Sequence, residues 1–186
     1  FDMETKLNLI TKRAIEDKRF KFTSLAHLLN ETSLKECFYM LEKDKAAGVD
    51  EVTFEEYEMY LNTNIQKLVK RMKTGKYYPQ PVRRAYISKG EGKFRPLGIP
   101  SLEDKIVQMG VSRILNAIFE PNFLDCSYGF REGRSCHQAL KQLDNTIMTK
   151  PVNHIIDADI RGFFDNVEHD WLLEMLKQKI ADKNFL

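Results

Sequence analysis

Apolar side chains recur at helical spacing along the first 75 residues of the chain. This spacing predicts an amphipathic helix over residues 3–19 and two shorter helices over residues 24–30 and 33–44. A capping-box pattern at Thr53, with a glutamate three residues later, opens a further helix that ends near residue 72. We therefore expect the first part of the molecule to be almost entirely helical.

The pattern changes to that of β structure at residue 82. Residues 82–88 and 93–99 are rich in β-prone side chains, and Lys89-Gly90-Glu91-Gly92 separates them. A glycine-containing connection of this length between two such runs is typical of a hairpin. The sequence predicts two antiparallel strands here.

Two more helices are expected after the hairpin. Residues 101–121 carry apolar side chains along one helical face, and Asp104 lies at the capping-box position after Ser101. Residues 122–134 are irregular and contain several glycines and arginines. Ser135 then caps a predicted helix of about 14 residues.

The last segment predicts one buried strand and one helix. The strand covers the apolar run of residues 153–160, and the helix covers residues 169–183, with Trp171 in the core. Together these elements predict an α+β fold that is helix-rich, with one hairpin and one buried strand.

The composition is that of a globular protein. Of 186 residues, 42% are hydrophobic and 30% are charged, a balance that excludes the disordered and membrane classes. No run of about 18 apolar residues is present, so we expect no membrane partner. Three cysteines are an odd and sparse set, and they favour a reducing cell interior over a disulfide scaffold.

The net charge of +2 is an average over blocks of opposite sign. Residues 31–60 contain nine acidic and three basic side chains, whereas residues 61–100 contain ten basic side chains and one acidic side chain. A basic block interrupted by aromatic residues is typical of a surface that binds a polyanion. A solvated, charge-rich surface without a ligand would have the same composition, so both interpretations stay open.

Two carboxylates interrupt the predicted strand. Asp157 and Asp159 lie two residues apart, so they would point to the same face of a strand. A divalent cation would neutralise them, since Mg²⁺ prefers carboxylate and phosphate oxygens. An aspartate that caps the turn after a strand is the alternative.

Two basic, glycine-rich segments are candidate phosphate sites. Lys89, Lys93 and Arg95 flank the hairpin turn and could clamp a triphosphate, although an ordinary exposed hairpin would also carry such residues. Arg131 and Arg134 lie before a predicted helix N-terminus, where they could hold phosphate or belong to a packed turn. Neither zinc-ligand spacing nor a serine-hydrolase motif is present.

Taken in order, four segments resemble the reverse transcriptases, or maturases, that bacterial group II introns encode. These are Ala47-Gly48-Val49-Asp50 with Thr53; Arg95-Pro96-Leu97-Gly98-Ile99-Pro100-Ser101 with Asp104-Lys105-Ile106-Val107-Gln108; Ser127-Tyr128-Gly129-Phe130-Arg131 with Gly133-Arg134-Ser135; and Asp159-Ile160-Arg161-Gly162-Phe163-Phe164-Asp165-Asn166. The resemblance covers roughly residues 46–172. It implies right-hand polymerase fingers with part of the palm, divided into an N-terminal extension and helical block (1–45), fingers (46–150) and the start of the palm (151–186).

The resemblance also implies roles for individual residues. Asp159 would be the first catalytic carboxylate and would ligate two Mg²⁺ ions, with the carbonyl of Ile160 assisting. Lys89 and Arg95 would grip the incoming dNTP, and Phe163 and Phe164 would contact the nucleotide, with Phe164 beneath the sugar. Asp157 is not assigned as a ligand. Contact with RNA or template is expected from Lys67, Lys70, Arg71, Arg83, Arg84, Arg131 and Arg134.

The expected function is RNA-directed DNA synthesis coupled to intron mobility, together with binding of intron RNA during splicing. The partners would be group II intron RNA, an RNA template with a DNA primer, and dNTPs, in the bacterial cytoplasm. The alternatives are a non-catalytic RNA-binding module and a retron or diversity-generating reverse transcriptase.

One part of the family pattern is missing from the 186 residues. They contain no Asp-Asp pair, and the palm of this family requires an aromatic-x-Asp-Asp motif. We therefore expect an incomplete fragment that does not extend a primer alone. An incomplete palm would expose apolar surface, so a homodimer is also possible.

Overall fold

Seven α-helices and one β-hairpin form the regular structure of residues 2–90 and 92–186, the part of the chain that the computed structural model describes. The side chain of Lys89 is also outside this description. The elements are α1 (Met3–Glu16), α2 (Glu31–Met40), α3 (Phe54–Met59), α4 (Leu61–Lys73), β1 (Arg83–Gly90), β2 (Lys93–Ile99), α5 (Leu102–Phe119), α6 (Cys136–Thr149) and α7 (His169–Leu176). The α+β prediction is confirmed.

Polar side chains at the helix starts explain where several helices begin. Each accepts a hydrogen bond from a backbone N–H of the first turn, which would otherwise have no partner. The capping residues are Asp2, Asn30, Thr53, Ser101 and Ser135. The predicted caps at Thr53 and Ser135 are confirmed. The helix predicted from residue 53 to residue 72 is interrupted at Tyr60, which separates α3 from α4.

The core lies around α5, which packs against α1 and α2. Ile106, Ile114 and Ile118 recur along one face of α5 and are fully buried. Phe38 of α2 is also fully buried, and its ring stacks on that of Phe54 with 4.1 Å between centroids. Helices from the N-terminal residues therefore share one apolar core with α5.

The predicted hairpin is confirmed. β1 and β2 pair antiparallel from Arg83 opposite Ile99 to Gly90 opposite Lys93, with an irregularity between Ser88 and Gly90. Among the described residues they form one two-stranded sheet.

The prediction of a buried strand over residues 153–160 is wrong. This segment has no regular secondary structure, and its residues are exposed, including Ile156 at 90%. An apolar run forms a strand only where a neighbouring strand completes its hydrogen bonds, and within residues 2–90 and 92–186 the strands β1 and β2 pair only with each other. Trp171, predicted in the core, is 64% exposed on α7.

Helix α7 ends at Leu176, seven residues before the predicted end, because the chain then turns to meet the N-terminal residues. The backbone N–H of Phe22 donates to the carbonyl of Lys179 at 2.8 Å. The buried carboxylate of Asp182 accepts hydrogen bonds from the N–H groups of Leu25 and Ala26 at 2.6 and 2.8 Å. These bonds join residues about 157 positions apart in the sequence.

None of the helices in the described part of the chain has the length and apolar character needed to cross a membrane.

Candidate nucleotide and nucleic-acid site

The β-hairpin distributes its arginines over two faces. Opposite residues of an antiparallel pair share a face, and successive residues alternate between faces. By this register, Arg83 and Arg95 lie on the face that also carries the half-buried Leu97, whereas Arg84 lies on the other face. The predicted triphosphate contact by Lys89 concerns a side chain outside the described residues and stays a prediction.

One buried carboxylate holds the base of the hairpin. The side chain of Asp104, in the first turn of α5, accepts hydrogen bonds from the Tyr77 hydroxyl at 2.5 Å and the Gln80 N–H at 2.9 Å. It also accepts a bond from the Ser101 hydroxyl at 2.8 Å. Burial, reinforced by the nearby Asp104 carboxylate, raises the pKa of Tyr77 above its usual value. The Tyr77 hydroxyl therefore stays protonated and donates throughout the physiological pH range.

The neighbouring Glu103 carboxylate accepts bonds from two other elements. Its Oε1 atom accepts a hydrogen bond from the Tyr57 hydroxyl at 3.1 Å, and its Oε2 atom pairs with the guanidinium group of Arg71. Burial, with the Glu103 charge, raises the pKa of Tyr57 above its usual value. Because Arg71 is engaged in this contact, the exposed Lys67, Lys70 and Lys73 of α4 are better candidates for contact with an external polyanion.

Two cations hold the loop of residues 46–50 against the hairpin and α5. Arg83 donates through Nε and Nη2 to the carbonyl oxygen of Ala47, at 3.0 and 2.7 Å. Lys105 donates through Nζ to the carbonyl oxygen of Ala46 at 2.7 Å. Burial, with the nearby Arg83 charge, lowers the pKa of Lys105. Arg83, predicted to contact RNA, thus also has a structural role, because it holds this loop against the hairpin.

Close packing explains the glycine at position 48 of the same loop. A Cβ atom at Gly48 would lie 2.5 Å from the Cα atom of Ser101 and 2.8 Å from the carbonyl oxygen of Pro100. Both are backbone atoms of the connection between β2 and α5. The loop therefore packs directly on the base of the hairpin.

Arg131 stabilises the irregular loop before α6. Its side chain is only 7% exposed, and its Nε and Nη2 atoms both donate to Oε1 of Glu120, at 3.0 and 2.6 Å. It also donates to the carbonyl oxygens of Leu124 and Ser127 at 2.9 and 2.7 Å. These contacts engage the guanidinium group within the chain, and the template contact by Arg131 stays a prediction.

Arg134 is more accessible and borders an open groove along α6. Its guanidinium carbon lies 5.4 Å from the centre of the Tyr128 ring, and its Nη2 atom is 3.5 Å from a carboxylate oxygen of Asp125. The groove has a volume of about 620 Å³ and is lined mainly by polar side chains, among them Lys141 and Asn145. A cation stacked on an aromatic ring beside polar side chains suits contact with a nucleic-acid strand.

The segment that carries Asp159 is exposed and irregular. Ile160 is 69% exposed and Phe164 is 80% exposed. Gly162 adopts a left-handed conformation with φ of 62°, and its carbonyl oxygen accepts a 2.7 Å bond from the Asn166 side chain. The rings of Phe163 and Phe164 meet edge to face at 5.2 Å. The turn thus places two aromatic rings close after Asp159.

Asp159 is the side chain predicted to ligate metal in the described part of the chain. No group of three or more His, Cys, Asp or Glu side chains that could hold a metal ion occurs within residues 2–90 and 92–186. Within these ranges, Asp159 is therefore not accompanied by two further side chains of these types.

Comparison with known proteins decides the family. The family model for "Reverse transcriptase (RNA-dependent DNA polymerase)" matches residues 87–186, which include the second half of β1, all of β2 and the Asp159 segment. The chain belongs to the reverse transcriptase family. Reverse transcriptases are polymerases that depend on a divalent metal ion.

The relatives agree with the resemblance to group II intron proteins. The chain is 38% identical to "Group II intron-encoded protein LtrA" of Lactococcus lactis subsp. cremoris over 178 residues, which are 95% of this chain and 29% of that protein. It is 38% identical to "Protein YkfC" of Escherichia coli K12 over 75% of this chain and 37% of that protein. It is 40% identical to an "Uncharacterized 91 kDa protein in cob intron" of Schizosaccharomyces pombe over 66% of this chain and 15% of that protein. The chain thus spans less than two fifths of the length of each.

Two residues at the base of the hairpin have roles that local sequence signals do not indicate. The sequence indicates Asp104 as a capping residue, three positions after Ser101, and as part of a segment that resembles the family, but neither indicates its partners. Its bond to Tyr77 spans 27 positions and cannot be inferred from local spacing. The role of Lys105 is likewise not indicated by local spacing, because its partner is a backbone carbonyl 59 positions away.

Proposed function

We propose that this chain forms the fingers and the first catalytic motif of an RNA-directed DNA polymerase encoded by a group II intron. The observation that carries the proposal is the 38% identity to a group II intron-encoded protein along 95% of this chain. The match to the reverse transcriptase family over residues 87–186 supports the same chemistry. The chain spans only 29% of that relative. We therefore propose the activity for a protein in which this chain is joined to further sequence.

We propose a role in the reaction for each of six residues of this chain. Asp159 and the carbonyl of Ile160 would take part in holding two Mg²⁺ ions, which supply charge neutralisation for phosphoryl transfer. Lys89 and Arg95 bind the triphosphate of the dNTP, and Arg95 is exposed on the hairpin, as this role requires. Phe163 and Phe164 contact the sugar, and Phe164 is accessible for that contact.

The second carboxylate motif must come from sequence other than these 186 residues, because they contain no Asp-Asp pair. We call the protein in which this chain is joined to that motif the complete polymerase. The exposed apolar side chains Ile155, Ile156 and Trp171 support the proposal that this surface contacts more protein, either the rest of the polymerase or a second copy.

The proposed activity is tested by primer extension on an RNA template. The complete polymerase should incorporate labelled dNTPs into DNA only when the RNA template and a divalent metal ion are both present. Incorporation that persists without the template would contradict RNA-directed synthesis.

We further propose that α4 contributes to a surface for intron RNA, which is the basis for a role in splicing. Lys67 and Lys70 are exposed on this helix, in the most basic block of the chain. Lysines that neutralise phosphates release counterions on binding, so the affinity depends on salt.

Reversing both charges, Lys67→Glu and Lys70→Glu, should weaken RNA binding about tenfold or more at physiological salt. The slope of log affinity against log salt should become shallower by about 0.7 to 0.9 for each phosphate that the protein no longer neutralises. A filter-binding series over salt concentration measures both. Each single reversal, Lys67→Glu or Lys70→Glu, has Lys45→Glu as its matched control, since that variant makes the same charge change in the acidic block of residues 31–60. An unchanged slope in the double variant would contradict this surface.

A further inference from the structure

Both ends of the β-hairpin meet at the Asp104 carboxylate. Tyr77 and Gln80 lie in the chain that leads into β1, and Ser101 lies two residues after the end of β2. Oδ1 of Asp104 accepts the Tyr77 bond, while Oδ2 accepts bonds from the Gln80 N–H and the Ser101 hydroxyl. One side chain of α5 therefore binds the incoming and the outgoing connection of the hairpin.

Beyond this base, the hairpin makes little contact with the core. Most of its residues are exposed, including Tyr86 and Phe94 at 64% each, and burial increases only towards Leu97 and Ile99. An antiparallel pair without a covered face has little stability of its own. The orientation of the outer hairpin relative to α5 therefore depends on the anchors at its base.

We propose that Asp104 is a positioning residue for the incoming nucleotide: by holding both connections of the hairpin, it fixes where Arg95 and the hairpin turn meet the triphosphate. This inference rests on the proposed function, which assigns the triphosphate to the hairpin. Asp104 acts through the backbone and does not touch the substrate.

The three donors explain why a carboxylate is needed at this place. A carboxylate accepts at two oxygens and donates nothing, whereas an asparagine amide has one accepting oxygen and an N–H₂ group. Asp104→Asn has nearly the same shape, but its N–H₂ group cannot accept, so the hairpin connections lose a charged acceptor and the Tyr77 hydroxyl can keep its contact only by accepting. Asp104 is 3% exposed, so water replaces that acceptor poorly.

The first measurement tests whether Asp104 holds the hairpin, and it needs no nucleotide. In amide hydrogen exchange of the 186-residue chain, Asp104→Asn should accelerate exchange in residues 83–99 about tenfold or more relative to the wild type. Exchange at the centre of α5, residues 106–118, should stay protected if the fold is intact. Tyr77→Phe, which keeps the ring and removes one bond, should act in the same direction if Asp104→Asn does not fold.

The second measurement uses the complete polymerase and separates KM from kcat. A misplaced hairpin should weaken nucleotide binding more than it disturbs the reacting carboxylates. Asp104→Asn should therefore raise the KM for dNTP about tenfold, and Tyr77→Phe should raise it in the same direction. The change in kcat should be smaller in both variants. Tyr78→Phe is the matched control, because Tyr78 is 78% exposed and is not a donor to Asp104. Arg95→Ala tests the triphosphate assignment itself.

The results distinguish the two proposals. Faster exchange in the hairpin, with a higher KM in both Asp104→Asn and Arg95→Ala, supports the positioning role. Unchanged hairpin exchange, or a normal KM in Asp104→Asn while Arg95→Ala raises it, overturns that role and leaves the proposed function standing. A normal KM in Arg95→Ala overturns the triphosphate assignment of the hairpin and, with it, the positioning role.

Discussion

Asp159→Asn in the complete polymerase is expected to abolish DNA synthesis while leaving RNA affinity unchanged. The substitution removes the negative charge that would help hold the catalytic metal ions, and losses of about a thousandfold or more are typical when such a group is removed. RNA affinity should persist, because the proposed RNA surface on α4 is formed by lysines and not by this segment. Primer extension and filter binding on one preparation measure both properties.

Asp170→Asn is the matched control for this prediction. Asp170 is exposed in the first turn of α7, so the variant makes the same charge change eleven residues away. It should retain synthesis near the wild-type rate. Synthesis that survives in Asp159→Asn would contradict the catalytic assignment and would favour a non-catalytic RNA-binding module. A parallel loss of RNA affinity would show that the two functions are not separate.

Gly48→Ala is expected to destabilise the fold by about 2 kcal/mol or more. The added Cβ atom would meet backbone atoms of Pro100 and Ser101 at 2.5 to 2.8 Å, and backbone cannot rotate aside as a flexible side chain can. Either the loop of residues 46–50 or the start of α5 must therefore shift, which is the cost of overpacking a tight contact. Urea unfolding of the 186-residue chain measures the free energy of unfolding.

Gly129→Ala provides the control for the added methyl group. Nothing lies within 4 Å of a Cβ atom at Gly129, and its backbone does not adopt a left-handed conformation. Its free energy of unfolding should stay within about 0.5 kcal/mol of the wild type. Equal stability of Gly48→Ala and the wild type would mean that the loop does not pack on the base of the hairpin as described.

Local sequence signals predicted the elements that need only local partners. The hairpin follows from two β-prone runs around glycines, and the starts of α3 and α6 follow from caps that bond within their own first turn. These features depend on residues a few positions apart. The sequence contains all the information required to place them.

Elements that depend on distant partners were predicted less well. Residues 153–160 have the composition of a buried strand, but no neighbouring strand of the described chain pairs with them. Helix α7 ends early because the residues after it bond to Phe22 and to the N–H group of Leu25. In both places the local pattern points to regular structure, and only the tertiary contacts decide the outcome.

The same distinction applies to the site. Sequence reasoning selected the hairpin cations and Asp159, yet it could not show that Arg131 is engaged by Glu120 or that Asp104 binds both connections of the hairpin. A charged side chain in a motif looks the same whether it contacts a ligand or another part of the chain. Its burial and its partners make the difference, and these follow from the fold.

The central claim is that this chain holds one part of a reverse transcriptase active site and requires the second carboxylate motif for activity. RNA-templated dNTP incorporation, measured side by side for the purified 186-residue chain and the complete polymerase, tests it most directly. We predict incorporation by the complete polymerase and none above background by the chain alone. Templated incorporation by the chain alone, abolished by Asp159→Asn, would contradict the account.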